Sequence, residues 1–347
     1  MARDYYAERN RINNRKTEEI LKDLPPYAFD YFVGVESRTS ALTRLNYAYD
    51  LRVFYQYLSE KIFKNTPVVE ITLEQLESVD AFIFERYLLY LSDYEINGKR
   101  STCDEQAKKR KLASVRSYYK YFYNKGLLES NPASKVTLPK IHDKEIIRLE
   151  VNEVVDILNE AERGDNMSGH MKIYHQNTNL RDVALLSLFL GTGIRISELV
   201  GLNVDDVDFS SNAFIVTRKG GNRTILYFPE EVADSLYAYV RQRESSNRIP
   251  KEEKALFLSL RNKRISVRAV ENIVKKYASI VTPLKHITPH KLRSTFGTNL
   301  YRETGDIYQV ADTLGHKDVN TTKRHYAAIS EDNRRKSAKV IKLRSTD

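Results

Sequence analysis

Residues 129–144, ESNPASKVTLPKIHDK, interrupt an otherwise helical hydrophobic pattern with two prolines and no apolar period. Because proline lacks an amide donor and clashes with the preceding helical turn, such a segment favours a connection between folded units. A chain of 347 residues is long enough to bury two cores. We therefore predict two domains, residues 27–128 and residues 147–330, joined by a linker at 129–146.

The two predicted domains differ in their hydrophobic period. In the first, ALTRLNYAYDLRVFYQYL (41–58) and KRKLASVRSYYKYFY (109–123) carry apolar residues at helical spacings, which predicts an all-helical domain. The second is helical at both ends, but β-branched and aromatic runs at 213–217 and 224–228 flank the turn RKGGNR. This arrangement favours a small antiparallel sheet. The predicted fold is therefore mainly α with a small antiparallel β-sheet, the second domain being mixed α/β.

Three shorter segments differ from both domains in composition. Residues 1–26 form a charged leader that ends at the proline pair of LPPY, and residues 331–347 form a basic tail. Residues 163–179, RGDNMSGHMKIYHQNTN, are polar, and we expect an inserted loop there.

The cellular setting is constrained by apolar runs and by cysteine content. The longest apolar run, VALLSLFL at 183–190, is too short to span a bilayer. Cys103 is the only cysteine, so no internal disulfide can form. A cytoplasmic protein without membrane contact is the simplest expectation.

The formal net charge of +10 favours a polyanionic partner, because Lys and Arg displace counterions condensed on phosphates. Much of the excess is local, since nine Lys or Arg and two acids lie between Lys99 and Lys125. In this predicted helix Lys109, Arg116 and Lys120 form a stripe beside the apolar face, and we predict that they bind DNA. An ordinary solvated charged face would give the same pattern, and the helix alone does not separate the two.

The segment GTGIRISELVGL (191–202) joins a buried helix to the next one. We expect Thr192 to cap the second helix, with Arg195 and Glu198 three residues apart on one face. Glu198 can then orient Arg195 and leave part of its guanidinium open to an anion. A plain intrahelical ion pair is the alternative for this segment taken alone.

The segment TPHKLRSTFGTNLY (288–301) has the residue order of a helix start. Thr288 is the expected N-cap and Pro289 the first helical residue, which places His290 in the first turn. Arg293 falls on the same face. Backbone amides and the positive end of the helix dipole favour an anion at this place. A first-turn histidine that makes a surface hydrogen bond is the alternative.

Three further residues complete the set of candidates. Lys219 lies at the tip of the predicted hairpin, His316 follows a helix-ending glycine, and Tyr326 lies on a short helix that Asn320 can cap. Each has an ordinary structural explanation, because basic hairpin tips are usually solvated and most tyrosines pack in cores.

Taken together, these residues resemble the tyrosine recombinases, the phage-integrase and Xer group, in both identity and chain order. The matching residues are Arg195, Lys219, His290, Arg293, His316 and Tyr326. TGIRISEL followed by DDVDF, the linker sequence NPASKVTLPK, and LGHKDVNTT before the tyrosine also match. The resemblance covers roughly residues 27–330.

The resemblance implies the chemistry of DNA strand exchange. Tyr326 would attack a scissile phosphate of double-stranded DNA, giving a 3′-phosphotyrosyl link and a free 5′-hydroxyl. A partner strand would reverse the step and produce a Holliday junction. The implied roles are a phosphate clamp for Arg195 and Arg293, a base for His290, an acid for Lys219, a phosphate hydrogen bond for His316, and support of Arg195 by Glu198.

Two points qualify the implied site. The family's usual spacing would put the nucleophile at His325, so Tyr326 requires one extra residue in the preceding turn. We keep Tyr326, because a histidine nucleophile has no precedent in the family. No cofactor and no metal are implied, and we expect the acids of DDVDF, which are Asp205, Asp206 and Asp208, to be caps and turn formers.

The resemblance also implies an assembly. The all-helical core-binding domain and the mixed α/β catalytic domain would close as a C-shaped clamp on DNA, and four protomers would act on two recombination sites. The basic tail could dock on the adjacent protomer, an accessory DNA-bending protein is compatible with this assembly, and the setting would be the nucleoid of a prokaryotic cell.

The function predicted from the resemblance is that of a site-specific DNA recombinase that integrates or excises a mobile element. The alternatives are Xer-type chromosome-dimer resolution, type IB topoisomerase activity, and a catalytically inactive DNA-binding relative.

Overall fold

The structure is a computed structural model that describes residues 2–64, 66–96, 98–138, 147–218, 221–316 and 319. The chain divides into two compact units, with the boundary between Lys144 and Glu145. Each unit has its own secondary structure and is described separately.

The N-terminal unit consists of helices and one short hairpin. Its helices are α1 (Ala2–Leu21), α2 (Ala28–Gly34), α3 (Ala41–Tyr57), α4 (Leu73–Glu77), α5 (Ala81–Tyr90) and α6 (Glu105–Asn124). Side chains cap several of these helices, as Ser40 does for α3 and Asp104 for α6. The prediction of an all-helical domain missed the antiparallel pair β1 (Tyr94–Ile96) and β2 (Lys99–Ser101). The signal was present, because Asn-Gly between two short runs is typical of a two-residue hairpin turn.

Aromatic side chains form much of the core of this unit. Tyr55, Tyr118 and Tyr119 are fully buried between α3 and α6, and the hydroxyls of Tyr55 and Tyr118 are hydrogen-bonded at 2.8 Å. Burial of a phenol with its hydroxyl paired contributes apolar area without leaving a polar atom unsatisfied. Two leader residues, Ile20 and Leu24, pack into the same core.

A buried ion pair also joins α3 to α6. Asp50 is 0% exposed, and its carboxylate accepts hydrogen bonds from Lys111 Nζ at 3.1 Å and from Ser114 Oγ at 2.7 Å. Arg110 pairs with the same carboxylate. Two residues of the basic segment therefore hold α6 on the bundle, because a buried carboxylate requires such partners.

The C-terminal unit combines seven described helices with one small sheet. Its helices are α7 (Val151–Arg163), α8 (Gly169–Thr192), α9 (Ile196–Gly201), α10 (Glu230–Glu244), α11 (Val267–Val281), α12 (Pro289–Thr304) and α13 (Ile307–Leu314). The C-terminal half of α8 is buried and contacts α7, α10 and α12. This helix therefore lies at the centre of the unit.

The sheet of the C-terminal unit confirms the change of period seen in the sequence. Its strands are β3 (Val207–Asp208), β4 (Ala213–Thr217) and β5 (Arg223–Tyr227), paired antiparallel in that order. Thr217 of β4 is opposite Arg223 of β5, so the register brings the two ends of the turn together. The fold is mainly α with small antiparallel sheets, as predicted.

The prediction of an inserted loop at 163–179 is wrong, because most of this segment belongs to α8. Helix α7 ends at Arg163 and is followed by Gly164, whose φ of +67° is readily adopted only by glycine; α8 begins at Gly169. The ring of His175 is buried and lies within hydrogen-bond distance of the carbonyl of Ala161, with its Nε2 at 2.9 Å from that oxygen. Most polar side chains of this segment do face solvent, but His175 and Thr178 are buried, and the segment is the first part of a helix.

Candidate active site

Arg195 and Glu198 form the pair that the sequence predicted, but at a helix start and not on one helical face. Arg195 is the N-cap residue of α9, and Glu198 is the third residue of that helix. The Glu198 carboxylate accepts from Arg195 Nη1 at 2.9 Å and from its backbone amide at 3.0 Å. Glu198 is 4% exposed, whereas the Arg195 side chain is 35% exposed. The buried carboxylate of Glu198 thus holds the partly exposed guanidinium of Arg195 in place.

The predicted N-cap at Thr192 is wrong, because Thr192 is the last residue of α8. Its hydroxyl donates to the carbonyl of Leu188 at 2.6 Å. Gly193 follows with a φ of +61° and turns the chain toward α9. A Cβ at this glycine would overlap Phe296 of α12 and Leu314 of α13, so the turn between α8 and α9 packs closely against the two later helices.

Helix α12 begins as the sequence predicted, with Thr288 at the N-cap position and Pro289 as its first residue. The Thr288 side chain makes no capping hydrogen bond to the described residues. His290 is exposed in the first turn, whereas Arg293 is 6% exposed one turn later. Arg293 donates through Nη1 to the carbonyl of Gly193 and through Nη2 to the carbonyl of Leu314. Its guanidinium therefore joins the ends of two other helices.

Helix α13 packs on α12 and ends in a Schellman motif. Val310 and Leu314 of α13 are buried against Phe296 and Leu300 of α12. Gly315, with a φ of +62°, donates to the carbonyl of Asp312 at 2.8 Å, and His316 donates through its backbone amide to the carbonyl of Ala311 at 2.9 Å. This motif fixes the backbone of His316 directly beside the helix end.

The candidate arginines donate hydrogen bonds to carbonyl groups at the end of α13. The carbonyl of Gly315 accepts from Arg195 Nη2 at 2.9 Å, and the carbonyl of Leu314 accepts from Arg293. The end of a helix carries partial negative charge from carbonyls without helical partners, which favours cations there. Arg195, Arg293 and His316, which lie far apart in the sequence, therefore meet at one helix end.

A third arginine, Arg218, reaches the same helix end, although the sequence did not predict it as a site residue. It directly follows β4 and donates through Nη2 to the carbonyl of Thr313 at 3.0 Å. A basic residue beside Lys219 carries no local signal that separates it from the other charges of a hairpin. Its contact depends on α13, which lies 95 residues later in the chain.

Several predicted residues lie outside the described part of the chain. Lys219 is not described, although Thr217 ends β4 and the carbonyl of Arg218 accepts from the amide of Gly221 at 3.0 Å across the turn. Tyr326, His325 and Asn320 fall beyond His316, as does the tail at 331–347. Their assigned roles stay predictions.

The three predicted DNA-binding residues of α6 differ in their surroundings. Lys109 and Lys120 are exposed. Arg116 is half-buried and donates through Nε to the carbonyl of Ala133 at 2.8 Å and through Nη2 to that of Val136. Its side chain binds the beginning of the predicted linker, so two of its donors are engaged within the protein.

Two acids of DDVDF have the capping and turn roles expected of them. Asp206 accepts from the backbone amide of Asn203 at 2.9 Å. Asp208 accepts from the hydroxyls of Ser210 and Ser211, each at 2.6 Å, and these bonds lower the pKa of Asp208 to about 2.

Among the described residues, no group of three His, Cys, Asp or Glu side chains is arranged to hold a metal ion. Within the same ranges, no helix has both the length and the apolar content needed to cross a membrane.

Comparisons with known proteins identify the family of the chain. The family model described as "Phage integrase family" matches residues 147–333. "Tyrosine recombinase XerC" of Syntrophus aciditrophicus (strain SB) is 31% identical over 317 residues, which cover 90% of this chain and 94% of that protein. "Tyrosine recombinase XerC" of Caldanaerobacter subterraneus subsp. tengcongensis is 33% identical over 304 residues, which cover 84% and 79% of the two chains.

Solved structures share the fold. The XerH site-specific recombinase in a post-cleavage complex with palindromic difH substrate has a TM-score of 0.65 at 18% identity, covering 86% of this chain and 80% of its own. The Tn1549 transposon integrase in complex with circular intermediate DNA has a TM-score of 0.62 at 18% identity, covering 85% of this chain and 93% of its own.

The matched family model and the XerC relatives define the class as enzymes that cleave and rejoin DNA at specific sites. The chain belongs to the phage integrase family of tyrosine recombinases.

Proposed function

We propose that this recombinase cleaves DNA through Tyr326 and stabilises the transition state with Arg195 and Arg293. The observation that carries the proposal is the meeting of both guanidinium groups with His316 at the end of α13. The pentacoordinate phosphorus gathers negative charge on its non-bridging oxygens, and preorganised guanidinium groups stabilise that charge without reorganising. A guanidinium group suits this role because it stays charged and can donate two hydrogen bonds to one phosphate.

Arg195 has the donors that this role requires. Its hydrogen bonds to Glu198 and to the carbonyl of Gly315 use Nη1 and Nη2, while about a third of the side chain is accessible. A guanidinium has five N–H groups, so a phosphate can be bound while both protein contacts persist. Glu198 then acts as a positioning residue for Arg195.

The remaining roles follow the family resemblance. His290, exposed in the first turn of α12, would take the proton of the Tyr326 hydroxyl, because a phenol with a pKa of about 10 must lose its proton during attack. Lys219 would protonate the departing 5′ oxygen, and His316 would donate to the phosphate. The bond energy is kept in the phosphotyrosyl link, so religation needs no nucleotide cofactor.

The assembly is proposed on the same basis. A core-binding domain at 27–128 and a catalytic domain at 147–330, joined by a linker at 129–146, would clamp a duplex recombination site. Four protomers would bring two sites together, with the tail at 331–347 exchanged between neighbours. Lys109 and Lys120 are exposed on α6 and would contact DNA phosphates, whereas Arg116 would mainly hold the linker.

The proposed biological role is integration or excision of a mobile element in a prokaryotic cell. A second role, of the Xer type, is favoured by the names of the XerC relatives. The two roles predict different defects when the gene is deleted from its host. Loss of the joined ends of an excised circle, detected by amplification across the junction, supports the first role, whereas accumulation of dimeric chromosomes supports the second.

The catalytic proposal is tested by trapping the covalent intermediate. Repeated selection of a randomised duplex library with the Tyr326→Phe variant recovers a bound site, because this variant keeps its DNA contacts but has no nucleophile. The recovered duplex is then nicked next to the scissile phosphate, so that the short fragment leaves after cleavage and the protein remains attached. Denaturing gels measure the attached fraction.

The proposal predicts an adduct with the unchanged protein and with His325→Ala, and none with Tyr326→Phe. Tyr308→Phe is the matched control, since Tyr308 is a 71% exposed tyrosine on α13 and should form the adduct normally. An adduct that persists in Tyr326→Phe and disappears in His325→Ala would overturn the proposal.

A further inference from the structure

Five successive carbonyl groups at the end of α13, from Ala311 to Gly315, all accept hydrogen bonds. The Schellman motif satisfies the first two, those of Ala311 and Asp312. The next three carbonyls each accept from a different arginine. Thr313 accepts from Arg218, Leu314 from Arg293, and Gly315 from Arg195.

Arg218 differs from the other two arginines in its place on the hairpin. It lies one residue after β4 and one residue before Lys219, and its backbone amide donates to the carbonyl of Asn222 at 2.8 Å. The side chain therefore connects the base of the turn that carries Lys219 to the helix end that carries the phosphate clamp.

The packing around Arg218 is close. A Cβ built on Gly315 would overlap Nη1, Cζ and Nε of Arg218, so the absence of a side chain at Gly315 makes room for this guanidinium. The Nε atom of Arg218 is buried and has no hydrogen-bond partner among the described residues. A buried donor without a partner destabilises a fold, so a contribution to stability does not explain why an arginine occupies this position.

We propose that Arg218 is a positioning residue for Lys219. By fixing the base of the hairpin to the end of α13, it holds the general acid at a set distance from the phosphate bound by Arg195 and Arg293. The inference rests on the proposed function, because it assumes that Lys219 protonates the departing 5′ oxygen.

The test compares two leaving groups on the same nicked duplex. One substrate has the ordinary 5′ oxygen at the scissile phosphate, and the other has a bridging 5′ sulfur. A thiol has a pKa of about 8.5, far below that of an alcohol, so the sulfur departs as a thiolate without a general acid. The measured quantity is the single-turnover cleavage rate on each substrate, and the readout is the ratio of the sulfur rate to the oxygen rate.

Replacing Arg218 with Met removes the charge and keeps the length of the side chain. We expect Arg218→Met to slow cleavage of the oxygen substrate by about 10²-fold, the lower end of what general acid catalysis contributes, and to leave the sulfur substrate little affected. Lys219→Ala should raise the ratio in the same way. Arg218→Lys retains a cation that can reach one carbonyl, and it should restore part of the oxygen rate.

Two controls separate this role from charge and from folding. Arg223→Met removes an exposed arginine from the same hairpin, and its ratio should equal that of the unchanged protein. Arg195→Met should slow both substrates alike, because the clamp acts on the phosphate whichever atom departs. A ratio measured on one protein is independent of how much of that protein is folded.

Equal slowing of both substrates by Arg218→Met and Arg218→Lys, or no slowing by either, would overturn the inference. If Lys219→Ala itself leaves the ratio unchanged while Tyr326→Phe abolishes cleavage, the positioning role also fails but the nucleophile stands. If the unchanged protein forms no adduct with either substrate, the proposed function itself has failed, and the inference fails with it.

Discussion

Arg293 is the most deeply buried of the described candidate catalytic side chains, and its position depends on both nitrogens of its fork. One terminal nitrogen donates to the carbonyl of Gly193 and the other to that of Leu314. A lysine would supply the same charge from a single flexible point and could not reach both carbonyls at once. The geometry of the guanidinium, and not its charge alone, therefore sets where the Arg293 side chain lies.

We expect Arg293→Lys to lower the single-turnover rate of adduct formation by about 10²- to 10³-fold, the usual loss when one preorganised donor to a developing anion is removed. Duplex binding, measured by gel shift at fixed salt, should change little because the cation remains. An adduct rate within a few fold of the unchanged protein would contradict the assignment of Arg293 to the clamp.

At the scale of single elements, the end of α13 depends on one glycine. Gly315 adopts a left-handed φ of +62°, and Gly305 at the end of α12 adopts a similar φ of +67°. A Cβ at Gly315 would overlap Arg218, whereas a Cβ at Gly305 would meet nothing within 4 Å. The two glycines thus share a backbone conformation but differ in their surroundings.

We expect Gly305→Ala to lower the free energy of unfolding by about 1–2 kcal/mol, the usual cost of a left-handed conformation for a residue with a Cβ. Gly315→Ala should cost more and should also slow adduct formation, because Arg218 must move. Urea unfolding and single-turnover cleavage measure the two effects. Equal losses of stability with unchanged cleavage would show that the contact between Gly315 and Arg218 has no role.

The elements differ in how far the sequence could predict them. The hairpin of β4 and β5 and the start of α12 were predicted, because β-branched runs around a glycine turn and a Thr-Pro pair are local signals. The segment at 163–179 was mistaken for a loop, because the burial of His175 depends on α7. The pairing of Arg195 with Glu198 was predicted, but the carbonyl partners of Arg116, Arg195 and Arg293 were not, because nothing in a sequence distinguishes one backbone carbonyl from another.

At the scale of the whole molecule, the described candidate catalytic residues all lie in the C-terminal unit. The N-terminal unit has a core rich in tyrosines, and burial raises the pKa of Tyr55, Tyr118 and Tyr119 well above the ordinary value. The family order of residues predicted the reaction class, but it carried no information on this second feature.

These tyrosines make the stability of the protein sensitive to alkali. Tyr27 packs against the same core, and burial raises its pKa from the ordinary value of 10.0 to about 12. The contribution of Tyr27 to stability is therefore complete below about pH 10 and is lost as the pH rises through about 12. Urea unfolding at several alkaline pH values, followed by tyrosinate absorbance, should show a falling midpoint in this window. A constant midpoint would contradict the burial of these phenols.

The central claim is that Tyr326 forms the covalent link to DNA, and the most direct measurement identifies the linked residue. The adduct trapped on the nicked duplex is digested with trypsin and nuclease, and the peptide that retains a nucleotide is sequenced by mass spectrometry. Cleavage after Arg324 and Arg334 gives HYAAISEDNR, which contains both His325 and Tyr326. We predict a nucleotide on Tyr326 through a link that survives mild acid. A nucleotide on His325, through an acid-labile link, would contradict the account.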